Sequence, residues 1–506
     1  MRLGIVLGGV RVVAWLLANA GCEVGAESAP PLPRGSRVGW YVRVTGTSGG
    51  NGTDSLPWDL RTALAGGNGA VGPGDTVWIR GGTYRGSFTT TLAGSSTAPV
   101  IVRAYPGERV VIDGNGSTNS TFVVDGSWTW YWGLEIMNSM TARSGDGLGL
   151  RPTGVYVRNA SNVKLINLIV HDTGHGTYTE SDTDGIEIYG WIVYNGGHQN
   201  PTRSDGHGLY VKNDGPTTKV FRDNVIFNQF AFGVHAYTES GSGNLREMVF
   251  EGNVAFNNST ISNDQNPNFQ LGGNNPADGD SIRDNVLYFS PGASVSYNAR
   301  IGYSSVVNGQ TLMQRNYVVG GDPVIEVARW TDLDIVNNTF VGDALIARLL
   351  DAVTGGQFWS GNMHHRDPSA AAWRYNGANY TFDNWRAQTG LAATDQATAA
   401  MPSVTRVFVR PNLYEPGRAH IIVFNWANQA SVAVDVSAVL QVGDRYEVRN
   451  VQQLFGSPVA AGTYSGGTIA VPMSGVTPPA PIGGSPKAPV RTGPAFDVFV
   501  LTRSGS

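Results

Sequence analysis

Acidic and histidine side chains are concentrated in one stretch of the chain, between His171 and Glu239. Five of the 8 histidines of the sequence fall in this stretch. A solvated face explains single charges, but this concentration is typical of a functional site. Carboxylates, imidazoles, amines and phenols are the groups that general acid–base chemistry uses. The catalytic candidates are Glu187, Lys212, His235, Asp184, Asp205, His207 and Tyr210, and the substrate-binding candidates are Tyr237, Arg203, His171, Tyr189 and Arg158.

Three short segments within this stretch share one pattern. Residues 184–189, 207–212 and 232–237 each contain a glycine followed by alternating apolar and polar residues, and an earlier copy covers 153–158. The glycine of the pattern repeats after 23 and then 25 residues. Strict alternation predicts a strand with one buried face. A strand that recurs once per coil predicts a solenoid, here a parallel β-helix.

The same alignment predicts which side chains share a surface. If the three glycines are stacked, the outward positions two residues later are Glu187, Tyr210 and His235. Neighbouring strands of a sheet are about 4.8 Å apart, so these side chains would meet on one solvent-open face. We predict that this face carries the function.

The first part of the chain resembles a known group of proteins. A strand from Trp40, a short helical stretch at 57–64 and the segment Pro-Gly-Asp-Thr-Val-Trp-Ile-Arg-Gly-Gly-Thr-Tyr at 73–84 follow one another. This order resembles the opening of secreted right-handed β-helix proteins of the pectate-lyase-like superfamily, in which a small helix caps the solenoid. The resemblance covers residues 40–390 and implies an all-β fold. It also implies a carbohydrate-active enzyme, either a polysaccharide lyase or a glycoside hydrolase.

Asparagines begin several short apolar strands in the middle of the chain. Asparagines at one corner of successive coils can form a ladder of amide hydrogen bonds, and they also accept a left-handed backbone. We therefore predict a structural role for this set. Its members are Asn167, Asn224, Asn253, Asn285, Asn316, Asn338 and Asn362.

The ends of the chain differ in composition from the middle. Residues 1–21 are predicted to be a signal peptide, and its end at Cys22 resembles a bacterial lipoprotein signal with Asn19 in place of Leu. Residues 22–38 are predicted to be a linker and residues 39–400 the β-helix. Short alternating strands predict an antiparallel β-sandwich accessory domain in 401–506, similar to those attached to glycoside hydrolases.

Charge and hydropathy limit the partners of the protein. With a net charge of −4 and no basic patch, the sequence gives no indication of nucleic-acid binding. No segment after the signal is apolar enough to span a membrane. We expect a secreted or periplasmic monomer that acts on a polysaccharide, with a lipid anchor through Cys22 as an alternative.

The first reaction that the predicted face could perform is β-elimination on a uronic-acid polymer. This reaction needs a base for the C5 proton, an acid for the leaving oxygen and positive charge beside the carboxylate. The candidates are Lys212 or His235 as the base, Tyr210 or Tyr237 as the acid, and His207 or Arg203 beside the carboxylate. Calcium stays open as a cofactor, held by Asp182, Asp184 and Asp205 through oxygen ligands.

The second reaction is glycoside hydrolysis, which uses two carboxylic groups at a defined separation. Asp184 and Asp205 are 21 residues apart, about one coil, and Glu187 lies on the adjoining strand. Thr-Asp-Gly at 183–185 and Gly-His-Gly at 206–208 resemble signatures of polygalacturonase-type hydrolases, although the Asp-Asp pair of that family is missing between them. A non-catalytic carbohydrate-binding or adhesin solenoid is the third alternative.

Overall fold

The computed structural model describes residues 39–145, 150–293, 295–303, 306–350 and 355–504. The predicted signal peptide and linker, with Cys22, lie outside these ranges. Within them, no helix combines the length and apolar character that a membrane span requires.

Three 12-stranded sheets form the faces of a parallel β-helix. From Thr76 to Tyr375, the chain passes through sheets 1, 2 and 3 in turn. Sheet 1 contains Gly39–Val42, Thr76–Ile79, Val100–Ala104, Thr129–Trp132, Lys164–Ile166, Glu187–Tyr189, Lys219–Arg222, Met248–Glu251, Asp280–Arg283, Asn308–Gln314, Trp330–Val336 and Gln357–Ser360. Sheet 2 contains Gly82–Arg85, Val110–Asp113, Glu135–Met137, Ile169–His171, Ile192–Tyr194, Val225–Phe227, Val254–Phe256, Val286–Tyr288, Tyr317–Val319, Thr339–Val341, Met363–His365 and Gln396–Thr398. Sheet 3 contains Phe88–Thr90, Phe122–Val124, Val155–Val157, Thr177–Thr179, Leu209–Val211, Val234–Ala236, Phe269–Leu271, Ala299–Ile301, Ile325–Val327, Ala347–Leu349, Trp373–Tyr375 and Ala378–Tyr380.

Short helices lie near both ends of the solenoid. The helix Leu60–Leu64 begins at Asp59, whose carboxylate accepts a hydrogen bond from the Thr62 backbone N–H at 2.8 Å. This contact satisfies one of the free N–H groups of the first turn. Leu60 and Leu64 are buried against the first coils. The other helical segments are the α-helix Phe382–Thr389 and the 3₁₀ turns Gly67–Gly69 and Val451–Gln453.

An asparagine ladder runs along the corner between sheets 1 and 2. The side-chain oxygen of each member accepts hydrogen bonds from the backbone N–H and the amide of the previous member, at 2.9–3.1 Å. The members are Asn224, Asn253, Asn285, Asn316, Asn338 and Asn362, and the ladder ends at Asp395. Asn167 was wrongly included, because its side chain contacts Asn412 and Glu415 instead.

The left-handed backbone at this corner lies one residue before the ladder. Asp223, Asp284 and Asn337 have φ values of 55°, 58° and 56°. The prediction that asparagines of this set adopt the left-handed conformation was therefore wrong for Asn224, which follows Asp223, and is confirmed for Asn167, whose φ is 52°. The ladder amides are instead held by their hydrogen bonds to one another.

Asn285→Ala tests the stabilising role of the ladder. Removing its amide takes away the acceptor of the Asn253 backbone N–H and the side-chain donor to the Phe250 carbonyl. We expect the free energy of unfolding to fall by about 1–3 kcal/mol, the usual cost of an unsatisfied buried polar group. Urea unfolding measures this change. The exposed Asn119→Ala is the control and should change stability by no more than about 0.5 kcal/mol; equal effects would contradict the role.

Antiparallel strands follow the solenoid. One sheet contains Arg406–Pro411, Arg418–Phe424, Phe496–Arg503, Arg445–Asn450 and Ala460–Thr463, and a second contains Ser431–Asp435 and Thr468–Pro472. The two sheets bury a common core that includes Ile421, Val434 and Val471. Shorter pairs within the β-helix segment are His198–Gln199 with Ser204–Asp205, and Leu245–Arg246 with Ala277–Asp278.

The C-terminal strands pack on the outer face of sheet 2. Tyr288 of sheet 2 stacks on Phe496 with ring centroids 4.2 Å apart, and Val225 and Val254 join the same apolar cluster. Burying such side chains contributes about 1.5–3 kcal/mol each. The outer face of sheet 3 takes no part in this cluster.

Candidate functional site

One side chain per coil forms a continuous column on the outer face of sheet 3. The strand register pairs each member with the next. Its members, the sheet-3 column, are Tyr156, Tyr178, Tyr210, His235, Gln270, Arg300, Glu326, Arg348 and Arg374. The residues on either side of each member point into the core, as Leu209 and Val211 do beside Tyr210.

The register brings together six of the predicted site residues. Tyr210 pairs directly with His235. Lys212 and Tyr237 lie two positions further along the same two strands, and His207 lies before the first of them. Asp205 ends the short strand that precedes His207. These residues come from two successive coils and the hairpin that leads into one of them.

The predicted stacking of Gly185 on Gly208 was wrong. Gly185 lies in the turn before sheet 1, at φ 59°, and Glu187 pairs with Lys164 and Val220 there. Gly176 takes its place, because the Gly176 backbone N–H bonds to the His207 carbonyl. The strand after Gly176 escaped prediction because its inward residues, Thr177 and Thr179, are polar although fully buried.

Glu187 and Tyr189 instead anchor the C-terminal strands. Lys164 Nζ lies 2.6 Å from a Glu187 carboxylate oxygen, and the Tyr414 hydroxyl donates to the same oxygen at 2.7 Å. The Leu413 backbone N–H donates to the Tyr189 hydroxyl at 2.6 Å. The prediction that Glu187 shares a face with Tyr210 was therefore wrong.

His171 is enclosed in a buried ion network rather than on the sheet-3 face. Its ring contacts Asp172 at 2.8 Å and Glu135 at 3.1 Å. Burial alone would lower the pKa of His171, but these two carboxylates outweigh it and raise the pKa to about 9. Arg143 pairs with Asp172 and donates to the Ile482 carbonyl of the C-terminal segment. Sequence reasoning missed this role, because the contact between the two parts of the chain leaves no local signal.

Three histidine rings lie beside Tyr210. The centroids of His175 and His207 are 4.7 Å apart, and those of His207 and His235 are 4.5 Å apart. Burial, reinforced by the neighbouring imidazoles, holds the pKa of His207 and His235 well below the usual value. Burial also lowers the pKa of His175. All three rings are therefore neutral at pH 7.

His175, Asp205 and His207 offer ligand atoms within 4.8 Å of one another. However, His175 Nδ1 accepts a hydrogen bond from the His207 backbone N–H at 3.2 Å. The proton of the neutral ring is then on Nε2, so neither nitrogen offers a free lone pair to a metal. We read the group as a hydrogen-bonded cluster.

The proposed calcium ligands are not brought together. Asp205 lies before the sheet-3 strands, whereas Asp182 and Asp184 lie in the turn beyond them, where Asp184 bridges to Ser161. Calcium takes six to eight oxygen ligands. These three carboxylates therefore do not fit a shared calcium ion.

Lys212 is a buried amine between two phenols. Its Nζ donates to the Tyr178 hydroxyl at 3.0 Å and lies 3.4 Å from Ser242 Oγ. It is 5.6 Å from the ring centroid of Tyr210. Burial lowers the pKa of Lys212, although the charges of nearby carboxylates, Glu180 first, oppose this shift. Tyr178, whose burial raises its pKa to about 12, stays protonated.

A second buried lysine supports this arrangement from inside the solenoid. Lys219 Nζ donates to the carbonyls of Glu180 and Lys212 at 2.6 and 2.7 Å and to Thr183 Oγ1 at 2.8 Å. Burial lowers the pKa of Lys219 to about 7. These bonds fix the backbone at the ends of two adjacent sheet-3 strands.

An open cavity lies beside Glu180, whose backbone carbonyl accepts the hydrogen bond from Lys219. Its volume is about 320 Å³, and it is lined by Tyr156, Arg158, Asn159, Glu180, Ser181 and Asp182. The Tyr156 hydroxyl donates to the Glu180 carboxylate. Arg158 faces the cavity but is already paired with Asp125, at 2.8 and 3.0 Å. Arg203 lies on the exposed hairpin loop near Asp205.

Tyr178, Glu180 and the pairing of His175 with His207 were not predicted. The signal for them is the segment Gly-Thr-Tyr-Thr-Glu at 176–180, which fits the repeat once threonine is accepted as an inward residue. The next coil is longer because the hairpin 198–205 is inserted before His207. This insertion lengthens the spacing between Gly176 and Gly208, so the regular repeat is not visible in the sequence.

Comparison with known proteins agrees with the predicted superfamily. Pectate lyase PEL9 of Emericella nidulans is 31% identical over 106 residues, which cover 18% of this chain and 23% of the relative. The alignment thus spans less than a quarter of that relative. The crystal structure of pectate lyase Pel9A is 16% identical, with a TM-score of 0.45 over 73% of this chain and 82% of that one. A rhamnogalacturonan lyase is 15% identical, with a TM-score of 0.45 over 64% of this chain and 87% of that one.

A family model described as "Pel9A-like, right handed beta helix region" matches residues 40–313. This match confirms the predicted right-handed parallel β-helix. Because it covers more than half of the sequence, the chain belongs to the Pel9A-like right-handed β-helix family.

Proposed function

We propose that the protein is a polysaccharide lyase that cleaves a uronic-acid polymer on the outer face of sheet 3. The observation that carries this proposal is Lys212, a buried amine with a lowered pKa that is bonded to the Tyr178 hydroxyl beside Tyr210. An amine whose pKa is lowered by burial is neutral over a wider pH range and can act as a general base. The similarity to pectate lyase PEL9 over 106 residues supports the substrate class.

Two protons move in the proposed elimination, and one side chain handles each of them. Lys212 takes the C5 proton, the C5–H electrons form the C4–C5 double bond, and the C4–O bond breaks. Tyr210 gives its proton to the leaving oxygen, because burial raises the pKa of its phenol and keeps it protonated. Both groups reach one sugar ring, since Lys212 Nζ lies 5.6 Å from the Tyr210 ring centroid.

The histidines next to Tyr210 supply polar contacts for the uronate carboxylate. His207 and His235 each have a buried Nδ1 without a hydrogen-bond partner among the described residues. These two atoms are enclosed, but each residue is 7% exposed, so a substrate carboxylate would contact the open edge of each ring. Hydrogen bonds to the carboxylate favour the charge that develops during proton abstraction.

The carboxylates predicted for the hydrolase alternative are not brought together as a pair. Asp184 and Asp205 lie at opposite ends of the sheet-3 strands, and Glu187 lies on sheet 1. A glycosidase needs two carboxyl groups about 5–10 Å apart across the scissile bond. We therefore prefer the lyase.

We also propose that the protein acts outside the cytoplasm as a monomer. A polymeric substrate does not cross a membrane, and this agrees with the signal peptide predicted for residues 1–21. Attachment through Cys22 remains a prediction, which mass spectrometry of the mature N-terminus would test.

An assay of product type tests the function. The purified chain is mixed separately with polygalacturonate, alginate and a neutral glucan. We expect ultraviolet absorbance of the unsaturated uronate from an acidic polymer and none from the glucan. Tyr210→Phe should abolish most of this signal, whereas Glu187→Gln should retain it. Reducing ends without absorbance would instead show hydrolysis, and no product from any polymer would reject both enzymatic functions.

A further inference from the structure

We propose that the C-terminal half of the sheet-3 column binds the acidic polymer at a distance from the cleavage point. This inference rests on the proposed function and extends its site along the solenoid. The three arginines of the column, Arg300, Arg348 and Arg374, form the binding surface, which we call the arginine track. Its ligand is a linear glycan that carries carboxylates on successive sugars.

The arginine track shares one register with the catalytic candidates. His235 pairs with Gln270, and Gln270 with Arg300. Glu326 then separates Arg300 from Arg348, which pairs with Arg374. Because coils are about 4.8 Å apart, these side chains follow one line parallel to the solenoid axis.

The arginine track carries net positive charge. Arg300 Nε lies 2.8 Å from one oxygen of Glu326, and Arg348 pairs with the other. The Glu326 side chain is 1% exposed, whereas those of Arg300 and Arg348 are 16% and 31% exposed. The buried carboxylate thus orients two guanidinium groups and neutralises one. No ion pair of Arg374 is found within the described residues, so three cations and one anion leave a charge of +2.

Aromatic rings connect the arginine track to the catalytic candidates. Tyr237, which stacks on His235 at 4.7 Å, meets Tyr303 edge to face at 5.4 Å. The Arg300 guanidinium lies 4.5 Å from the Tyr303 centroid and 5.1 Å from that of Tyr297. A phenol next to a guanidinium offers a surface for a sugar ring beside a group for its carboxylate.

Arginine suits this ligand better than a diffuse positive surface would. Its planar fork binds a carboxylate through two parallel hydrogen bonds. The coil spacing of about 4.8 Å is close to the length that one pyranose unit adds to an extended chain. A polymer lying along the axis would therefore present successive carboxylates to successive coils. Short oligomers held near Lys212 would not reach Arg348 or Arg374.

Binding of oligomers of two lengths tests the arginine track. The full chain with Lys212→Met, which should bind without cleavage, is titrated calorimetrically with trimers and octamers of galacturonate and of mannuronate. Adding Arg348→Ala or Arg374→Ala should weaken octamer binding about tenfold each and leave trimer binding unchanged. Arg283→Ala is the matched control, because Arg283 is also partly exposed and paired with a carboxylate, but lies on sheet 1.

Two further variants separate charge and folding effects. Arg348→Lys retains the charge but loses the fork, so it should weaken octamer binding less than Arg348→Ala does. Arg374→Ala breaks no ion pair and should leave the unfolding midpoint unchanged. Octamer affinities equal to those of the Arg283→Ala control would overturn the inference even if the wild-type chain cleaves acidic polymers. If no acidic oligomer is bound or cleaved, the proposed function fails, and the arginine track fails with it.

Discussion

Lys212→Met should reduce kcat/KM on an acidic polymer by about 100- to 10,000-fold, the usual contribution of a positioned general base. Methionine retains the length and apolar stem of the side chain, so packing between Tyr178 and Tyr210 should persist. The variant should bind the polymer with little change, because the loss affects proton abstraction. Initial rates from the absorbance of the unsaturated product measure this effect.

The pH profile separates a base from a merely structural lysine. Lys212 must be neutral to accept a proton, so the wild-type rate should rise with pH through its pKa, which burial lowers. Tyr210 limits the rate at higher pH only, because burial raises its pKa. The rising limb should vanish in Lys212→Met. If Lys212→Met keeps both the wild-type rate and the rising limb of the pH profile, Lys212 is not the base.

Lys164→Met provides the matched control for this substitution. Lys164 also donates to a tyrosine hydroxyl, that of Tyr414, at 2.7 Å, but it lies on sheet 1 against the C-terminal strands. Its replacement should leave kcat/KM nearly unchanged. An equal loss of activity in both variants would point to general destabilisation.

Asp172→Asn should lower the free energy of unfolding by about 3–5 kcal/mol, because it leaves a buried charge without its partner. Asp172 and Arg143 are each 5% exposed in their side chains. Asp172 also accepts hydrogen bonds from His171 and from the Ile482 backbone N–H, both at 2.8 Å. Asparagine retains the shape and tolerates the φ of 53° at this position. Urea unfolding of the whole chain measures the change.

Asp284→Asn isolates the effect of burial. Asp284 has a φ of 58° and pairs with Arg315 at 2.7 Å, but its side chain is 39% exposed. An exposed pair contributes about 0–1 kcal/mol. The two substitutions therefore change the same chemical group in the same backbone conformation. Similar losses of stability would contradict the larger contribution expected of the buried network.

The fold was predictable because its signal is local and repeated. Alternation in segments such as 207–212 and the strand-starting asparagines both reflect contacts that recur in every coil. The opening at 73–84 added a resemblance to the same fold. The short alternating strands after residue 401 were equally visible, since an antiparallel sheet with one solvent face needs that pattern.

The site was predictable only in part, because one register error moves a residue to another face. His207, Tyr210 and Lys212 were placed correctly relative to His235, since their strands are apolar inside. Glu187 was misplaced because buried threonines concealed the strand 177–179. His171 and Tyr189 could not be interpreted from the sequence, because Asp172, the partner of His171, bonds to Ile482, and Tyr189 bonds to Leu413. Both Ile482 and Leu413 lie far along the chain.

The position of the C-terminal strands also determines how the protein unfolds. A solenoid in which each coil touches only its neighbours can unzip from either end. Here Tyr414 contacts Trp130 and Tyr189, while Phe424 contacts Tyr288 and Tyr317. The C-terminal segment thus contacts coils whose residues are more than 180 positions apart in the sequence. Unfolding that begins at one end should stop at the coils that the C-terminal strands contact. These coils should therefore unfold as a single cooperative unit.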